Sequence, residues 1–144
     1  MKKIIILVLA LVAIAGIETK AQVGDFRSIF NLTSDTVTNT ATIYLTSPAL
    51  VAAPATSTTI WIAVTKISGT VGGTITLQGS LNGTTYKALN TVDTQTALAT
   101  ITATDASNTY HYRIDGSPFP YYRVSWTGTG TMAASFTAQI FRAK

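Results

Sequence analysis

The chain has 144 residues, 47% of them hydrophobic and 11% charged, with one histidine and no cysteine. Without cysteine there is no disulfide framework and no lipid attached through a cysteine at a cleavage site, and one histidine is too few for a zinc site built from several His or Cys ligands. The formal net charge is +4, but the basic residues are scattered, which excludes the clustered Lys and Arg face that a nucleic-acid partner requires.

At the N-terminus, Met1, Lys2 and Lys3 precede an uncharged run from Ile4 to Ile17, after which Glu18, Thr19, Lys20, Ala21 and Gln22 turn polar. That is the order of a secretory signal peptide, and an apolar run of about 14 residues is shorter than the roughly 20 needed to span a bilayer. Residues 1–21 are therefore expected to form a signal helix cut after Ala21, with Thr19 and Ala21 at the small-residue positions. Retention as an anchor is the alternative, and it would be the chain's only link to a membrane. Either fate places the protein outside the cytoplasm, as a secreted, periplasmic or cell-surface protein. Removing this segment leaves seven basic against five acidic residues, a net charge of about +2. Residues 22–144 then make one domain, long enough to bury a core without disulfide staples.

From Gln22 onward the sequence is rich in Thr, Ala, Val, Ile and Tyr and has no Glu. Such residues fit a half-buried pleated surface, and the strong helix formers are scarce. Strands are expected over residues 27–32, 40–46 and 59–67. The last of these is apolar on both faces at Ile60, Trp61, Ile62, Ala63 and Val64, so it should be central or covered on its outer side. Residues 47–57, with Pro48 and Pro54, read as a loop. Ile75 and Leu77 share one face of the next strand, and Asn82-Gly83 suits a tight hairpin leading into residues 85–89. A strand over 98–104 follows. Then Tyr110, Tyr112 and Ile114 alternate with polar residues, as do Tyr122, Val124 and Trp126, and finally Phe136, Ala138 and Ile140, so each strand has one apolar and one polar face. Asp115-Gly116-Ser117-Pro118 and Gly128-Thr129-Gly130 mark the turns between them. The expected fold is all-β, an antiparallel two-sheet, jelly-roll-like β-sandwich of about eight or nine strands, with a closed barrel as the alternative.

The stretch Leu77-Gln78-Gly79-Ser80-Leu81-Asn82-Gly83-Thr84-Thr85-Tyr86 resembles the strand-turn-strand of discoidin-like and galactose-binding-like β-sandwich domains, with Asn82 and Tyr86 where those domains usually carry Asp and Trp. Tyr121-Tyr122-Arg123-Val124, followed by Thr127-Gly128-Thr129-Gly130-Thr131, is similar to the closing strands of small sandwich proteins of phage virions and bacterial surfaces. Both resemblances imply a scaffold and carry no binding residues with them.

Five aspartates remain beyond Gln22, at 25, 35, 93, 105 and 115, and none forms a close acidic cluster. Neither a carboxylate-pair hydrolase nor a calcium loop is indicated, no Gly-x-Ser-x-Gly nucleophile elbow occurs, and no phosphate loop with its lysine is present. The chain therefore reads as a non-enzyme without metal or cofactor. Alternation puts His111, Arg113 and Asp115 outward on one strand and Tyr121, Arg123 and Ser125 outward on the next. If those strands pair through the turn at 115–120, then His111, Arg113, Tyr121 and Arg123 form one patch with Phe119 at its tip. Aromatic planes beside guanidinium groups suit sugars, peptides or a protein partner. The leading functional expectation is an exported structural or adhesive module displayed on a cell surface or particle, self-associating through an edge strand or binding a protein partner. A carbohydrate-binding module using Tyr121 and Arg123 is the alternative. A phage decoration or tail-associated protein and a small hydrolase centred on His111 stand behind these.

Overall fold

The computed structural model describes residues 26–50, 55–89, 99–116 and 119–143. The expected signal helix lies outside the described residues, as do Asp25, Asp93 and the middle of the 47–57 loop. Ten strands follow one another: β1 (Phe26–Asn31), β2 (Asp35–Thr38), β3 (Thr42–Thr46), β4 (Ser57–Gly69), β5 (Gly73–Ser80), β6 (Lys87–Ala88), β7 (Ile101–Thr102), β8 (Asn108–Asp115), β9 (Tyr121–Gly128) and β10 (Met132–Ala143). The expected eight or nine strands become ten because β2, which pairs with β10, falls between the expected strands at 27–32 and 40–46, while the expected strands at 85–89 and 98–104 are present as the short β6 and β7 on β5.

The strands form an all-β sandwich of two antiparallel sheets. In the first, the order is β1-β10-β4-β8, with β2 continuing the β1 edge along β10; in the second it is β3-β9-β5-β6, with β7 also on β5. β10 is twelve residues long, so one side of it can accept β2 against Ala133–Phe136 and β1 further along. The long β4 lies between β10 and β8, the central position its apolar composition suggests.

Inward-facing residues of the two sheets make one core. Ile60, Ile62 and Val64 of β4, with Phe136, Ala138 and Ile140 of β10, are buried against Leu45 of β3, Ile75 and Leu77 of β5 and Tyr122, Val124 and Trp126 of β9. Each such aliphatic or phenyl side chain contributes about 1.5–3 kcal/mol through burial. Specific contacts tie the layers: Trp126 and Phe136 meet edge to face at 5.5 Å between centroids, and the Tyr112 hydroxyl donates to the Ile75 carbonyl oxygen at 2.8 Å. Backbone geometry fixes one close approach. Gly73 opens β5 at φ +120°, and a Cβ there would collide with the Thr127 carbonyl of β9, so only glycine lets the two backbones pair at that point.

The expected pairing of the two tyrosine-rich strands does not occur. β8 pairs with β4 in the first sheet, whereas β9 pairs with β3 and β5 in the second. The 115–120 connection is therefore an arch from one sheet to the other, and the 128–132 turn crosses back. Either arrangement brings Tyr112 and the Tyr122, Val124, Trp126 set to the interior, and the backbone pairing of β8 on β4 and of β9 on β3 and β5 decides between them. Strands in opposite sheets bury these residues from opposite sides, which serves the core as well as a hairpin would.

Candidate functional site

Separating β8 from β9 divides the expected patch between the two outer faces of the sandwich. His111 and Arg113 stay on the outside of the first sheet. Tyr121 and Arg123 stay on the outside of the second. Phe119 belongs to neither face: it is half-buried against the core, edge-on to Tyr122 with centroids 6.2 Å apart, because its ring fills the space over Gly79, where a Cβ would stand 2.7 Å from it.

On the first sheet, antiparallel register aligns His111 of β8, Trp61 of β4, Gln139 of β10 and Asn31 of β1 in one row across four strands. The adjoining row holds Arg113, Thr59 and Phe141. Trp61 is 49% exposed, although its neighbours in sequence, Ile60 and Ile62, are fully buried. Its ring lies 6.4 Å from that of Phe141 at 45°. The Gln139 side-chain amide donates from Nε2 to Asn31 Oδ1 at 2.8 Å, which orients both amides beside the indole. Small residues flank the indole. A depression of about 470 Å³ opens on one side over Ala63, Thr137, Gln139 and Asn31, and a second of about 310 Å³ opens on the other over Thr59, Thr109 and His111. The indole thus stands in relief between two shallow troughs with hydrogen-bonding groups along their walls.

On the second sheet, Arg123 is held by two tyrosine rings and a glutamine. Its guanidinium carbon lies 4.3 Å from the centre of the Tyr44 ring and 4.2 Å from that of Tyr86, and Nε donates to Gln78 Oε1 at 2.8 Å. Stacking of this kind contributes about 0.5–2 kcal/mol per ring, depending on how dry it is. Tyr44 comes from β3, and Gln78 lies directly opposite Arg123 on β5. Tyr86 is delivered by the loop over residues 81–86. There, Ser80 Oγ accepts the backbone amides of Asn82 and Gly83, and Asn82 Oδ1 accepts those of Thr84 and Thr85, at 2.9–3.3 Å. Gly83 has φ +74°, and a Cβ on it would stand 3.1 Å from the Tyr121 ring. The hairpin foreseen at Asn82-Gly83 is thus present with a six-residue loop, and that loop places an aromatic ring on Arg123.

Sequence reasoning missed Trp61, Gln139, Phe141, Tyr44, Gln78 and Tyr86 as members of these faces. Tyr44 could have been found, since it shares the outward phase of β3 with Thr42 and Thr46. Trp61 could have been found as the large residue out of phase with Ile60, Ile62 and Val64. Gln139 and Phe141 needed the register of β10 on β4, which no local pattern carries. Among the described residues, His111 makes no hydrogen bond to a serine or aspartate, and no group of three His, Cys, Asp or Glu side chains could hold a metal.

No family model and no curated protein matches the chain. Among the solved structures similar to it are the following two. One, "Family 16 Carbohydrate Binding Module-2", is 12% identical over 72% of this chain and 70% of that one, with a TM-score of 0.35. The other, "Bacillus endospore appendages form a novel family of disulfide-linked pili", is 17% identical over 79% of this chain and 89% of that one, with a TM-score of 0.33. Likenesses at this level carry no argument about ligand or assembly, so a functional reading rests on the two faces themselves.

Proposed function

We propose that this protein is a non-catalytic, exported adhesive module of a cell surface or particle, and that it adheres by binding carbohydrate on the outer face of its first sheet. The observation that carries the reading is the half-exposed indole of Trp61, set in the His111, Trp61, Gln139, Asn31 row with a trough on either side. An indole face packs well against the apolar C–H face of a pyranose, and fixed amides beside it supply directional bonds to sugar hydroxyls.

The test is a glycan-array screen of the wild-type protein followed by calorimetric titration of its best ligand into the wild type, Trp61→Ala and Gln139→Ala. Trp61→Ala is expected to weaken binding about 30-fold or more, equivalent to ~2 kcal/mol, in a protein that still folds. An array without hits, or equal affinity in wild type and Trp61→Ala, would rule out this site.

A second reading, self-association, is favoured by one observation: β8 ends the first sheet and pairs only with β4 among the described strands. A free strand edge offers a template for another chain.

A further inference from the structure

Among the described residues, no carboxylate pairs with Arg123, and its guanidinium sits in a rigid setting. The Tyr44 and Tyr86 rings both lie close to its guanidinium carbon and Gln78 occupies Nε, so the group is positioned before any ligand arrives. An arginine has five N–H donors, and among the described residues only the one on Nε has an acceptor. The described carboxylates lie elsewhere: Asp105 is bound to Lys66, Asp35 sits on β2 and Asp115 on β8, both in the first sheet. A planar fork with free donors is complementary to a carboxylate, which it can hold through two parallel bonds.

The neighbours indicate what bears that carboxylate. Tyr44 is 50% exposed with one ring face on the guanidinium, which leaves aromatic surface beside the charge. Hydroxyls stand along the face: Thr46 lies opposite Arg123, and Thr42 and Thr127 share a hydrogen bond at 2.9 Å. Aromatic surface and hydroxyls next to a carboxylate reader match a ring that is itself hydroxylated and acidic. We infer that the Tyr44, Arg123, Tyr86 clamp is a binding site for a uronic-acid-bearing glycan, whose carboxylate docks on the Arg123 fork while its pyranose ring packs on the exposed part of Tyr44. This site lies on the sheet opposite the Trp61 face and stands or falls independently of it.

The experiment titrates galacturonic acid oligomers, their methyl esters and an oligoaspartate peptide into the full chain and into Arg123→Lys, Tyr44→Ala and Trp61→Ala. The acid oligomer is expected to bind the wild type and to lose affinity about tenfold or more in Arg123→Lys, which keeps the charge but not the fork. Methyl esterification should abolish binding at this site. Tyr44→Ala should weaken it while the protein stays folded, because the ring lies on an edge strand at the surface. Equal binding of acid and ester by the wild type, or no binding of the acid at about 10 mM, overturns the inference. Oligoaspartate bound as tightly as the uronate overturns the sugar assignment, and loss of uronate binding in Trp61→Ala would place the ligand on the other sheet. The ester comparison uses the wild type alone, so it decides even if Arg123→Lys fails to fold.

Discussion

The hydroxyl of Tyr112 donates to the Ile75 carbonyl oxygen across the sandwich, whereas that of Tyr122 is buried without a partner among the described residues. Alternation identifies both rings as inward, but the fate of each hydroxyl depends on a strand of the facing sheet and is not written locally. Removing the two hydroxyls should therefore have opposite effects. Tyr112→Phe is expected to cost about 1 kcal/mol, the net value of a buried hydrogen bond, and Tyr122→Phe to be neutral or stabilising by a similar amount; urea denaturation of the two variants checks the pair. Burial also pushes the Tyr112 phenol above its ordinary value of 10.0. Its contribution to stability is thus complete below that value and fades as pH rises through the higher folded-state value. Asp105 behaves in the opposite sense. Its carboxylate accepts hydrogen bonds from the Lys66 ammonium and the Val71 amide, both at 2.7 Å, and these hold its pKa below the ordinary 3.8. The stability it confers is present above 3.8 and is lost as pH falls through the lower folded-state value. Thermal midpoints of the wild type should exceed those of Asp105→Asn at neutral pH, and the gap should narrow on acidification. A gap constant down to the most acid pH that preserves the fold would contradict this.

At the scale of elements, the alternating runs were legible because each strand must keep one face dry. The failures occurred where a strand's neighbour mattered. Of the expected strand at 98–104, residues 101–102 form β7 on β5, and the Ala103 amide continues that register onto the Gly73 carbonyl oxygen at 2.9 Å. Neither β2 nor the Asn39 turn that leads out of it announced itself. Asn39 stands at φ +50°, and its amide nitrogen donates to the Met132 carbonyl oxygen at 2.9 Å. Such a turn is specified by β10, more than ninety residues away. Gly73 gives the element-scale prediction. Gly73→Ala should destabilise the protein by about 2–3 kcal/mol, the cost of a strained φ, and the collision with Thr127 adds to it; chemical denaturation measures the sum. The open edge of β8 gives another. Its outward residues include His111, Arg113 and Asp115, and charges along an edge oppose uncontrolled pairing. Replacing Arg113 and Asp115 with Thr should therefore raise the sedimentation coefficient at concentrations where the wild type sediments more slowly. If both proteins remain monomeric at high concentration, self-pairing through β8 is removed.

For the whole molecule, the two tryptophans report the two environments the fold creates. Trp126 is fully buried and donates from Nε1 to the Gly72 carbonyl oxygen at 3.3 Å, while Trp61 stands half in solvent. A Trp61→Phe variant should retain a blue-shifted emission that acrylamide barely quenches, and the difference from the wild type should be the red-shifted, quenchable part. Phe136→Ala, which removes the ring that Trp126 meets across the layers, should cost about 3–5 kcal/mol. The sequence by itself determined that this domain is all-β and which residues turn inward, because a period of two is a property of each strand alone and the apolar phase must be buried. Only the tertiary structure decided which sheet each strand joins, and with it which outward residues share a face. An arch between sheets and a hairpin within one bury the same side chains, so local pattern cannot separate them. Pairing is settled by backbone hydrogen bonds and core closure between segments distant in the chain. That choice sent His111 and Arg113 to the Trp61 face, and Tyr121 and Arg123 to the Tyr44 and Tyr86 face.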